Sequence, residues 1–270
     1  MKIKVLLLFL VQIICFGNFS MAQVIPLINA HSHNDYSRIP LFPALEHGFM
    51  SIEADILLIE DDLYVGHDMP GANQRITLPD LEESYLYPLD SVVRANDGQI
   101  YANTDEPVLL MIDIKTDAKA TYEVLNDQLL DYRDMLTYWE GDKVHEGPIL
   151  IFISGNRDFE GITNEEMRFV ALDGRPGDLG KGYSTAMMPV ISEDFAKVCK
   201  WNGKGEIKPK EFEKIKVLAD KTHAEGKRLR LWATPEGEHV WKMLLEAGVD
   251  ILNADDLGKL QDFLLNRANK

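Results

Sequence analysis

Short runs of aliphatic residues recur along the chain, each followed by a stretch whose apolar positions repeat at helical spacing. Eight runs have strand character: Ile25–Ala30, Met50–Ile56, Val108–Lys115, Ile149–Ser154, Phe169–Asp173, Met187–Ser192, Arg228–Thr234 and Val249–Asp255. Helical patterns cover Leu41–His47, Leu78–Ala95, Ala118–Thr137, Asn164–Arg168, Lys210–Glu225, Glu236–Glu246 and Asp256–Ala268. Gly48, Gly226 and Gly248 stand where helices are commonly closed. Alternation of this kind predicts parallel βα units, and eight strands predict an α/β fold with a single (β/α)8 TIM barrel. No repeat, linker or low-complexity tract divides the chain, so residues 23–270 read as one domain.

The first 22 residues follow another pattern. A short basic stretch with Lys2 and Lys4, an apolar core from Val5 to Phe16 and the small-residue segment Ser20-Met21-Ala22 predict a signal peptide cleaved before Gln23. The expected location is therefore exported, periplasmic or secreted. No later run is long enough to span a bilayer. Loss of Cys15 with the leader leaves only Cys199, so no intramolecular disulfide is expected.

Charge narrows the partners. The formal net charge of −16 becomes −18 once Lys2 and Lys4 are removed. Nucleic acid and anionic membranes need basic patches, so neither is expected as a stable partner. A phosphate site has to be a local positive spot on an acidic surface, and the expected ligand is a small molecule or lipid.

Candidate chemistry falls at the carboxyl ends of the expected strands, where a barrel keeps its functional groups. Glu53 and Asp55 lie two apart on a mostly apolar strand and so share one face. Two acids on one buried face need neutralising, and oxygen ligands favour a hard divalent ion, Mg2+ or Ca2+. Asp113 and Lys115 share a face on the next strand, and an anion and a cation together beside a metal suit a phosphate. His31-Ser32-His33-Asn34-Asp35 follows the first strand, and His67-Asp68 follows an expected hairpin at Leu63–Gly66. Arg157 adds a cation in the loop after the fourth strand, and Trp232 an aromatic at the end of the seventh, where stacking on a head group and packing at the rim fit equally well.

The order of a His after strand one, Glu-x-Asp on strand two, His-Asp about a dozen residues later and acid-x-Lys on strand three resembles the phospholipase C-like phosphodiesterase superfamily. Its members include glycerophosphodiester phosphodiesterases, phosphatidylinositol-specific phospholipase C and sphingomyelinase D. Leu229–Thr234 and Gly248–Asp255 are similar to the end of the glycerophosphodiesterases. His31-Ser32-His33 replaces the usual His-Arg-Gly of that branch, and Asp113 replaces its usual Glu.

The resemblance implies a metal-dependent phosphoric diester hydrolase. Glu53, Asp55 and Asp113 would hold one divalent ion, and His31 and His67 would act as base and acid, or with these two roles reversed. Lys115, His33, Asn34, Arg157 and Trp232 would be left for the substrate. Two rival readings accompany it. His31-x-His33 also resembles the start of metal-dependent amidohydrolase barrels, which require further histidines at strands five and six. A barrel without turnover that binds a phosphorylated ligand is the other.

Overall fold

The computed structural model describes residues 24–36, 39–71 and 78–268, so the expected signal peptide lies outside the described residues. Eight parallel strands form the barrel: β1 (Leu27–Ser32), β2 (Phe49–Ile59), β4 (Val108–Ile114), β7 (Ile149–Gly155), β9 (Val170–Gly174), β10 (Val190–Asp194), β11 (Arg228–Trp232) and β12 (Leu252–Ala254). These are the eight expected strands, with ends moved by up to three residues. Hydrogen bonding runs β11-β10-β9-β7-β4-β2-β1-β12. The cylinder closes through one parallel bridge, Arg230 to Ile251, and the main-chain N of Ile251 donates to Leu229 O at 3.1 Å.

Helices α1 (Phe42–Glu46), α2 (Tyr87–Ala95), α3 (Ala118–Asp131), α4 (Phe159–Asn164), α5 (Phe195–Val198), α6 (Pro209–Ala224), α7 (Glu238–Glu246) and α8 (Leu257–Ala268) accompany the strands. A π-helical turn, Glu82–Leu86, leads into α2. None of the described helices is long and apolar enough to cross a membrane.

Two stretches depart from the expected pattern: the helix expected over 118–137 stops at Asp131, with a separate 3-10 turn at Arg133–Met135, and a short segment further on is extended. Residues 164–168 are not a helix: α4 ends at Asn164, and Met167–Arg168 form β8. The helix begins earlier because Asp158 caps it, its Oδ1 accepting from Gly161 N at 3.1 Å. β8 then pairs with β5 (Tyr138–Glu140), which also pairs with β6 (Lys143–His145) in a separate three-stranded sheet. The expected hairpin is present as β3 (Asp62–Val65), antiparallel to the end of β2.

Strand parity sorts the interior. Leu109, Met111, Phe152, Ala171, Val190 and Ile251 form an apolar cluster apart from the outer core that the helices cover. The inward positions next toward the carboxyl ends are polar: Asp113, Ser154, Asp173, Ser192, Arg230 and Asn253. Glu53 and Asp55 continue this layer on β2. The barrel is thus filled with hydrocarbon below and carries its charged groups at the mouth.

Candidate functional site

Three carboxylates meet at the mouth. Glu53, Asp55 and Asp113 each bring an oxygen within 4.8 Å of the others. Register explains the meeting, because Asp55 stands directly opposite Asp113 in the parallel pair β2–β4. Burial pushes the Asp113 carboxyl up to about 6, and burial together with Glu53 raises that of Asp55.

One oxygen of each aspartate is committed. Lys115 Nζ lies 3.1 Å from Asp113 Oδ2 and 3.3 Å from Asp55 Oδ2, and Tyr36 donates to Asp55 Oδ2 at 2.7 Å. The other oxygens, Asp55 Oδ1 and Asp113 Oδ1, are buried with no hydrogen-bond partner. Two orphaned anionic oxygens beside a third carboxylate fit a hard divalent cation, because an unpaired buried acceptor is costly. The backbone makes room for one of them. At Gly155, where φ is +64°, a Cβ would come within 2.0 Å of Asp113 Oδ1.

Glu53 differs from the aspartates. Its Oε2 accepts from Arg230 Nη2 at 2.9 Å and from His31 Nε2 at 3.0 Å. Burial opposes its ionisation, but Arg230 and His31 outweigh that and hold the carboxyl down at about 2. Arg230 also donates through Nε to Asn253 Oδ1 at 2.8 Å, so β11 and β12 are tied to β2 through one guanidinium.

His31 is fully enclosed. Burial, with Arg230, brings its imidazole down to about 4, so the ring is neutral near pH 7. Its Nε2 hydrogen faces an ionised Glu53, which leaves Nδ1 to accept from Ser51 Oγ at 2.7 Å. Both ring nitrogens are therefore occupied, one by Glu53 and one by Ser51. In this arrangement the ring of His31, the residue expected as the base, braces Glu53.

The other expected residues sit nearer the opening. His33 is partly exposed; its Nδ1 lies 2.7 Å from Asp255 Oδ1, and it lines a cavity of about 490 Å3 with Thr234, Trp241 and Asn253. Asn34 forms the turn after β1 with φ of +47°, a conformation that asparagine tolerates better than most residues. His67 is exposed and lies 3.1 Å from Asp68 Oδ1. The chain holds it at the level of the acids, because Gly66 N donates to Asp55 O at 3.0 Å. Arg157 donates to the main-chain oxygen of Asp173, and Trp232 ends β11 exposed.

Sequence reasoning missed Arg230, Tyr36 and Ser51. Arg230 carried a signal, since Arg228, Arg230 and Trp232 alternate on an otherwise apolar strand as Glu53 and Asp55 do. Tyr36 and Ser51 carried none. The amidohydrolase reading finds no support: β9 and β10, the fifth and sixth barrel strands, end in Asp173-Gly174 and Glu193-Asp194, with no histidine at either.

Comparison with known proteins adds the following. The family model described as "AIM6-like phosphodiesterase domain" matches residues 19–173. An altered inheritance of mitochondria protein 6 homolog of Arthroderma benhamiae is 26% identical over 87% of this chain and 83% of its own length. Altered inheritance of mitochondria protein 6 of Eremothecium gossypii is 29% identical over 88% of this chain and 69% of its own. Among solved structures, a glycerophosphodiester phosphodiesterase from Parabacteroides distasonis superposes with a TM-score of 0.58 at 14% identity, covering 89% of this chain and 98% of that one. This last likeness concerns the fold alone.

Proposed function

The chain belongs to the AIM6-like phosphodiesterase domain family, and we propose on that premise that it is a phosphoric diester hydrolase dependent on one divalent cation, Mg2+ or Ca2+. The observation that carries this reading is the pair of buried, unpartnered oxygens on Asp55 and Asp113, two acids that cluster with Glu53. Asp55, Asp113 and the second oxygen of Glu53 would hold the cation, which when bound polarises a phosphoryl oxygen and offsets charge in the transition state. Lys115 stands between Asp55 and Asp113 and would take a non-bridging oxygen of the diester.

Proton transfer falls to the imidazoles that reach the opening. His33 has one nitrogen on Asp255, as a base held in one orientation by a carboxylate has, and the other is left for a nucleophile. His67, on the segment after β3, would protonate the leaving oxygen. His31 keeps Glu53 ionised and in place. Asn34 beside His33, and Arg157 and Trp232 on the rim, would contact the rest of the substrate, a glycerophosphodiester or phospholipid-type compound. Residues 23–270 would act as one exported domain.

The test is hydrolysis of bis-p-nitrophenyl phosphate with Mg2+ or Ca2+ and after chelation. Release that stops with chelator and returns with cation is expected. Undiminished release in excess EDTA would sink the cation requirement, and silence on several diesters would favour a phosphate-binding barrel without turnover.

A further inference from the structure

A second concentration of charge stands at the mouth, and of its members only Arg157 has been given a place, on the rim against the substrate. β7 and β9 end side by side, and Asp173 on β9 is wholly buried. Its Oδ2 accepts from Ser154 Oγ at 2.8 Å and from Arg175 Nη1 at 2.7 Å. Arg175 Nη1 also donates to Gly174 O at 2.9 Å, and Nη2 reaches Ser154 Oγ at 3.4 Å. Arg157 comes from the turn after β7 and donates to the main-chain oxygen of the same Asp173.

The two guanidinium groups therefore converge on one residue, yet they share only one carboxylate. Among the described residues Arg157 has no carboxylate at ion-pair distance. The next acid, Asp178, is already engaged by Arg175 N and by Lys181 Nζ, each at 2.9 Å. Burial and the charge of Arg175 push the Arg157 guanidinium down. A half-buried cation beside a like charge is unfavourable unless an anion arrives. Acids are not scarce in a chain of net charge −16, so the missing counter-ion reflects where these arginines are placed.

Their placement relative to the acidic triad gives the ligand. Ser154 stands in register with Asp113 on the adjacent strand. Neighbouring strands lie about 4.8 Å apart, so the arginines at the ends of β7 and β9 sit roughly 5–10 Å along the rim from a diester held at Asp113 and Lys115. Guanidinium groups match oxyanions through paired N–H donors. We propose that Arg157 and Arg175 form a subsite for a second anionic group of the substrate, a phosphate monoester joined by a short spacer to the diester that is cut. This rests on the phosphodiesterase reading only for where the first phosphate sits. The acidic exterior and these two cations would together select substrates bearing phosphate at both ends.

Equilibrium binding tests this apart from turnover. Calorimetric titration in Mg2+ compares 1,4-butanediol bisphosphate with butyl phosphate on wild-type protein and on Arg157→Gln, Arg175→Gln and Arg157→Lys. Wild type is expected to prefer the bisphosphate by about tenfold, the size of one charge-assisted contact. Each Gln variant should bring the ratio toward one, while Arg157→Lys, which keeps the charge, should retain most of it. A wild-type ratio near one, including no measurable binding of either compound, overturns the proposal. So does an equal loss of both ligands in Arg157→Gln. Failure to hydrolyse bis-p-nitrophenyl phosphate would instead count against the phosphodiesterase reading and leave this ratio to stand or fall by itself.

Discussion

His31 and His33 are two residues apart, yet one is sealed behind Glu53 and the other opens onto a cavity beside Asp255. Their substitutions should therefore read differently. His33→Ala and His67→Ala are each expected to lower kcat on bis-p-nitrophenyl phosphate by roughly 100-fold, the usual scale for lost acid–base help, with cation affinity unchanged. His31→Ala should weaken cation binding in a calorimetric titration, because Glu53 loses a donor. If His31→Ala binds cation normally and shows the deepest loss of kcat, His31 is the base and His33 is not. Glu53, Asp55, Asp113 and Lys115 were legible in the sequence because charges at alternate positions of an apolar strand must be neutralised by something the strand itself lacks. The partners of Glu53 were not. Arg230 lies 177 residues away, and only closure of the cylinder brings it to Oε2.

At the scale of elements, the barrel strands were legible because buried parallel strands are nearly continuous apolar runs. Residues 164–168 were misread because five residues are too few to separate helical from extended spacing, and pairing with β5 decided the matter. Nothing in the apolar pattern marks the turn closing β7, although it shapes the site. Gly155 adopts φ of +64°, and a Cβ there would lie 2.5 Å from Ile114 O as well as against Asp113 Oδ1. Gly155→Ala should destabilise the fold by roughly 1–3 kcal/mol in denaturant melts and weaken cation binding. Gly177→Ala, with nothing within 4 Å and no positive φ, should do neither. Unchanged cation affinity in a folded Gly155→Ala would show that Asp113 does not need its present position.

For the molecule as a whole, the polar layer makes cation, proton and stability interdependent. Without cation, burial holds the Asp113 carboxyl at about 6, above its ordinary value, so the folded state keeps a proton that the unfolded chain has already released. That contribution is complete at low pH and is lost as pH rises through about 6. A cation needs the ionised carboxylate, so its stabilising effect should be large above about pH 6 and shrink below it. Melting curves with and without Mg2+ at about pH 7.5 and about pH 5 check this; an equal shift at both would contradict it. The cylinder itself has one weak seam. Seven neighbouring strand pairs are joined by ladders, whereas β11 and β12 share one bridge, with Arg230 and Asn253 laced across it. The guanidinium that laces the seam is also the one that grips Glu53. Any breathing of the wall at that join therefore loosens the acid on β2, and whatever clamps Glu53 also draws the wall shut.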